Sequence, residues 1–207
     1  MTGEAIACYV LGAALAAVLL VYMLLEIHYF IRMGVCVFIA RFFKKRITVL
    51  DSADVKGVCL TTDVDTLLYH MNNVRYLREV DFARADFYER TGLYRKILSK
   101  GGAVVQGSCT IRYRRFIRPF SVFRITSKII YWDEKSIFME HRFITPKDDF
   151  VRAIVLCQQR VINCSASDVM KELVDVERGV EKPQVPMEVA KWIECNEISS
   201  ANLRNGC

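Results

Sequence analysis

The feature that most constrains this chain is the run from Ala5 to Leu25, which contains no Asp, Glu, Lys, Arg, His, Asn, Gln or Pro. As a helix rising about 1.5 Å per residue, these 21 residues reach ~31 Å, the thickness of a bilayer's hydrocarbon core. A helix is the one isolated segment that satisfies its own backbone in lipid. Core helices of soluble proteins rarely stay uncharged for so long. A cleavable signal peptide has a basic start and a shorter apolar stretch, whereas the only charged side chain before this run is Glu4. The sequence therefore predicts a membrane anchor over residues 1–26. A secreted protein that loses this segment is the alternative.

Flanking charge predicts the orientation. No Lys or Arg precedes the run, whereas Arg32, Arg41, Lys44, Lys45 and Arg46 follow it, which places the remainder of the chain on the cytosolic side. Residues 27–50 mix apolar, aromatic and basic side chains. They read as a basic interfacial linker at anionic headgroups, or equally as a continuation of the anchor helix. The five basic residues, against Glu4 and Glu26, account for +3 of the formal net charge of +6. What remains is spread thinly and calls for no nucleic acid partner. The positive mean hydropathy of +0.20 owes much to the apolar run. A charged share of 25% excludes a low-complexity chain.

Residues 51–165 read as one α+β domain and 166–207 as a helical tail. A short apolar strand is expected from Val55 to Thr62. Asn72 or Asn73 caps a helix to about Arg90, with Tyr76, Leu77, Val80, Ala83 and Phe87 at helical spacing and Gly92 as terminator. Arg75, Arg78, Glu79, Arg84 and Asp86 fall on its other faces. Period-two alternation then predicts strands over 103–113, 120–132, 137–145 and 150–162, with the turn spacing of an antiparallel meander. Such a sheet must curl around the one long helix. In the tail, Ser167-Asp168 can cap a helix through Val174, and 188–195 form a second. The eight cysteines contain no Cys-x-x-Cys and there are three histidines, so no metal site and no cofactor are expected. The thiols read as reduced and structural, with Cys36 placed where palmitoylation could occur.

The chemistry-bearing segment is Asp63-Val64-Asp65-Thr66-Leu67-Leu68-Tyr69-His70-Met71-Asn72-Asn73. It puts two carboxylates, an imidazole and two amides in a loop that feeds a helix N-terminus. Unpaired N–H groups there suit the polarisation of a carbonyl. A neighbouring carboxylate can activate water or attack the carbonyl itself. The same residue types also serve as plain helix caps and loop ties. Ser108 and Cys109 lack a nucleophile elbow and read as strand packing.

Asp-x-Asp followed by His-x-Asn-Asn-x-x-Tyr-Leu, a helix and four strands resembles the hotdog-fold acyl-CoA thioesterases of the 4-hydroxybenzoyl-CoA type. The stretch from His70 to Arg84, with Trp192-Ile193, Asn196-Glu197, Ser199-Ser200 and Leu203-Arg204, is similar to an animal membrane-associated group among them. The resemblance implies a curled antiparallel sheet around a long helix and a homodimer joined at sheet edges. It implies an acyl-CoA or acyl-lipid substrate, with the endoplasmic reticulum as the membrane. It assigns Asp65 as nucleophile or general base, with His70 and Asn73 orienting the loop or the thioester. The family commonly places the His four residues after that Asp, with Gly just before it. Here the gap is five and Leu68-Tyr69 precede the His, so Asp63 is the alternative carboxylate. The function expected is thioester hydrolysis by a membrane-anchored, cytosol-facing protein of lipid metabolism. The alternative is a non-catalytic acyl-lipid or acyl-CoA binding protein.

Overall fold

A computed structural model describes residues 3–175 and 182–206. Helix α1 (Gly3–Leu24) has no part of its 20-residue apolar window buried, and its last turn, at Tyr22, borders a cleft of the domain. After a break at Leu25-Glu26, helix α2 (Ile27–Phe42) starts anew and packs along α3 (Asn73–Thr91). Strand β1 (Ala53–Val58) precedes α3, and a short α4 (Leu93–Ser99) follows it. Strands β2 (Ala103–Tyr113), β3 (Val122–Trp132), β4 (Ser136–Thr145) and β5 (Phe150–Ile162) come next, then α5 (Ala166–Asp175) and α6 (Met187–Asn205).

All five strands form one antiparallel sheet in the order β1-β3-β4-β5-β2. The meander expected over the last four strands thus holds for β3, β4 and β5 only. β2 lies at the far edge beside β5. Helix α3 covers one face of the sheet. Asn72 caps it by accepting the Val74 N–H at 3.0 Å, and Gly92 closes it at φ +75°, a left-handed angle that only glycine adopts freely. Tyr76, Val80, Ala83 and Phe87 are buried against the sheet as their spacing predicts.

The other face of α3 is buried too, contrary to the amphipathic reading. Glu79, Asp86 and Glu89 lie under α2 and pair with Arg32, Lys44 and Arg41, the last at 3.0 and 3.2 Å. Arg32 also covers the Phe82 ring at 4.0 Å, and Cys36 donates to the Phe82 carbonyl. Of the five basic residues expected at lipid headgroups, Arg32, Arg41 and Lys44 are held against α3 by its carboxylates. Arg32 meets Glu79 early in α3, whereas Arg41 and Lys44 meet Glu89 and Asp86 late in it, so α2 and α3 run in parallel.

The inward face of the sheet carries two apolar clusters, one around Phe87, Ile129, Ile137 and Met139, the other around Tyr76, Phe123, Ile125 and Phe143. Ser127 and His141 face each other across β3 and β4 at the seam of these clusters. Ser127 Oγ lies 2.7 Å from His141 Nδ1, and both residues are fully buried.

The tail differs from expectation in two details. Ser165, not Ser167-Asp168, caps α5 by accepting the Asp168 N–H at 3.1 Å. Helix α6 runs to Asn205, well past Cys195, and lies on the face of the sheet away from α3. There Trp192 meets Phe138 edge-on and Asn196 donates to Ser108 Oγ at 3.2 Å. The described cysteines are free thiols; Cys207 lies outside the described residues.

Candidate functional site

The segment from Asp63 to Asn73 leaves β1 through a single 3-10 turn (Thr61–Asp63) and returns to start α3. Its two carboxylates do different things. Asp63 is buried and closes its own turn: its Oδ2 accepts the Leu60 N–H at 2.9 Å, and its carbonyl accepts the Asn72 N–H at 2.8 Å. Its Oδ1 lies 3.9 Å from Arg75 Nε. With Arg75 and Glu79 it lines a cleft of about 410 Å³ against the start of α2.

Asp65 folds onto the loop that follows it. Its Oδ1 accepts the N–H of Tyr69 at 2.9 Å and of His70 at 3.2 Å, while its own N–H donates to the His70 carbonyl at 2.9 Å. These backbone donors, Tyr69 first, hold its carboxyl below the usual carboxylate range. Its Oδ2 faces His70 Nε2 at 4.0 Å. The ring is fixed from its other side by Nδ1 at 2.8 Å from the Met71 carbonyl, an acceptor that places the proton on Nδ1 and leaves Nε2 basic. The Phe116 ring stacks on it at 4.4 Å, 6° from parallel.

Between Asp65 and His70, Leu68 sits at φ +55°. Glycine is at home there; a leucine costs about 1–2 kcal/mol.

At the start of α3, Asn72 occupies the Val74 N–H through Oδ1 and the Arg75 N–H through its carbonyl. Two donors that could polarise a substrate carbonyl are therefore taken. Asn73 is exposed at the first helical position, and its carbonyl accepts the Tyr113 O–H at 2.9 Å. Asp65, His70 and Asn73 thus belong to one loop-to-helix corner, whereas Asp63 turns to the other side.

Residues not anticipated as site residues complete this corner. Tyr113, Phe116 and Arg114, Arg115, Arg118 and Arg152 line a cleft of about 370 Å³. Arg114 and Arg115 lie over the Phe150 ring at 4.8 and 4.2 Å. The Arg-Arg-Phe run just after the strand 103–113 was the available signal, but it lies between two expected strands and carries no motif of its own. No group of three or more His, Cys, Asp or Glu suited to a metal occurs among the described residues. Ser108 is bonded to Gln158 and Asn196, a packing role.

Comparison with known proteins agrees with this architecture. Residues 59–193 match the model of the thioesterase-like superfamily. Protein THEM6 of Drosophila melanogaster is 41% identical over 190 residues, covering 92% of this chain and 97% of the relative. Protein THEM6 of Xenopus laevis is 40% identical over 194 residues, covering 94% and 92%. Among solved structures, the probable thioesterase YbaW from Escherichia coli superposes with a TM-score of 0.55 at 21% identity, over 59% of this chain and 96% of its own. A 1,4-dihydroxy-2-naphthoyl-CoA thioesterase from Synechocystis gives 0.51 at 10% identity, over 62% and 100%. At such identities the likeness is one of fold, the hotdog fold, and both neighbours are covered almost whole by about three fifths of this chain. With its curled sheet, its Asp65–His70 corner and relatives that match from end to end, the chain belongs to the thioesterase-like superfamily, in the group of thioesterase superfamily member 6 proteins.

Proposed function

We propose that this thioesterase-like protein hydrolyses fatty acyl-CoA in lipid metabolism. We place it on the endoplasmic reticulum membrane, held by α1, with its domain in the cytosol. The observation that carries the reading is Asp65: a carboxylate held ionised by two backbone N–H groups, 4.0 Å from a fixed imidazole, at the mouth of α3. In this reading Asp65 accepts a proton as water attacks the thioester carbon. With the Val74 and Arg75 N–H groups taken, the tetrahedral oxyanion is held by the exposed Asn73 amide at the first position of α3. Collapse breaks the C–S bond, and the proton passes to the leaving thiolate, giving free fatty acid and CoA. His70 orients the corner. The unpaired outer edge of β2, where Val105 and Tyr113 are exposed, supports a homodimer joined edge to edge.

A second reading has its own support. Asp65 Oδ1 serves as a clamp for its own loop, and the Leu68 corner differs from a glycine corner, as a non-catalytic acyl-CoA binder would allow. The full chain in vesicles, given a panel of acyl-CoA chain lengths, separates the two. Turnover with CoA release supports the hydrolase. Saturable binding of a non-hydrolysable acyl-CoA thioether without any CoA release from acyl-CoA would replace it by the binder.

A further inference from the structure

The parallel course of α2 and α3 decides which end of the domain faces α1. The first residues of α2 lie beside the first turns of α3: Glu26 pairs with Arg78, whose guanidinium lies 4.4 Å from the Tyr29 ring centre. Helix α1 ends at Leu24, so its exit and the Asp65–His70 corner share one end of the domain. Lys44, just beyond the far end of α2, is carried away by roughly 24 Å of helix.

This shared end is built from two loops, 59–72 and 114–121. They are stitched by the Met71 N–H to the Ile117 carbonyl at 2.8 Å and the Phe120 N–H to the Cys59 carbonyl at 2.7 Å. The 410 Å³ cleft joins them to α1, with Tyr22 and Leu25 on one side and Leu60 and Phe120 on the other.

The loops display large apolar side chains: Leu67 is 82% exposed, Leu68 and Phe120 69%, and Phe116 56%. Leu68 and Phe120 are also held in the left-handed region, at φ +55° and +60°. In such exposed corners glycine or asparagine would cost the isolated fold less. Neither residue is retained for the core. Beside them Arg114, Arg115 and Arg118 are exposed and pair with no carboxylate among the described residues. Apolar tips ringed by unpaired arginines match a lipid surface of negative charge, with the tips at headgroup depth and guanidinium groups on phosphates.

We propose that this loop end is a docking surface for the anionic bilayer that α1 crosses. Leu67, Leu68, Phe116 and Phe120 enter the interface and Arg114, Arg115 and Arg118 hold lipid phosphates. The proposal rests on α1 as an anchor and extends the functional reading. The Asp65–His70 corner opens on the membrane, so an acyl thioester reaches it from the lipid side.

The test uses the full chain in phosphatidylcholine vesicles with and without 30% phosphatidylserine. Phe120→Trp and Leu67→Trp are compared with the wild type, whose buried Trp132 and sheet-packed Trp192 supply the background. Vesicles made with lipids brominated on their acyl tails should quench the added emission at least about twofold, and Arg115→Glu with Arg118→Glu should remove most of that quenching. Added emission that is open to aqueous acrylamide and untouched by bromolipid, in chains that resist carbonate extraction, would overturn the docking surface while leaving the anchor intact. The same insensitivity with a response to adenosine 3′,5′-bisphosphate would overturn it in favour of a soluble nucleotide ligand. Release of the chain by carbonate would overturn it through the anchor. CoA release in the same vesicles reports the hydrolase reading separately.

Discussion

Asp65 and His70 are bound to one another twice over. The carboxylate accepts the backbone N–H of His70 at 3.2 Å through one oxygen and faces its ring Nε2 at 4.0 Å through the other. One side chain therefore fixes the loop and presents its remaining oxygen to the only imidazole of the corner. Structure and chemistry are separable here, because an amide oxygen can replace the clamp but not the base.

Asp65→Ala should lower the melting temperature by a few degrees, as lost caps and Asx-type clamps do, whereas Asp65→Asn should keep most of it. The pH dependence has a definite sign. The backbone donors depress the folded-state pKa of Asp65, so its charge contributes stability above the unfolded value near 3.9, lost as pH falls through the folded value. Melting curves of wild type and Asp65→Asn should converge at the acid end. A constant gap at every pH would contradict this.

Leu68→Gly relieves a left-handed leucine at some entropic cost in the unfolded chain. The balance should be a gain of about 0.5–1 kcal/mol, with Leu68→Val losing at least about 1 kcal/mol at the same site. Chemical denaturation reads both signs directly. A destabilising Leu68→Gly would show that the corner is not strained.

Burial, aided by Arg84, pushes the His141 imidazole down to about 3. The unfolded chain therefore binds a proton that the native state does not, between about 6.5 and 3. Stability should fall with pH in that window by up to ~1.4 kcal/mol per unit from this group. The double variant Ser127→Ala with His141→Leu removes the buried pair together and should flatten this slope. An unchanged slope would place the acid sensitivity elsewhere.

Arg32 and Glu79 tie α2 to α3, with Glu79 buried and the guanidinium at the surface. Arg32→Ala leaves that carboxylate without its partner and should cost about 1–3 kcal/mol. Replacing both residues by Met should recover at least about half of the loss. If the double variant is as unstable as Arg32→Ala alone, packing on Phe82 rather than the charge is what matters.

Much of this fold is legible where one residue pattern dominates. β5 and α3 appear at their expected ends because their periodicity is unbroken and Asn72 and Gly92 mark the helix. Sheet order is not legible, since β2 pairs with a strand about forty residues on and its own alternation names no partner. The acidic face of α3 reads as solvent-facing because its cover lies in α2, a segment whose composition suggests lipid instead. α4 is too short, and the far half of α6 too polar, for their spacing to stand out. At the site, the Asp-x-Asp and His-x-Asn-Asn residues locate the corner. Which carboxylate turns toward the imidazole depends on the local hydrogen bonds of each, Asp63 to Leu60 and Asp65 to Tyr69 and His70, and the arginines beside Phe116 belong to a different loop.

The most direct measurement is CoA release from long-chain acyl-CoA by the full chain in vesicles, comparing wild type, Asp65→Asn and Asp63→Asn. Asp65 as the working base predicts that Asp65→Asn loses about 100-fold or more in turnover with its melting temperature nearly kept. Asp63→Asn should lose less than about tenfold, and mainly through stability. Wild-type turnover that survives Asp65→Asn undiminished would contradict the account.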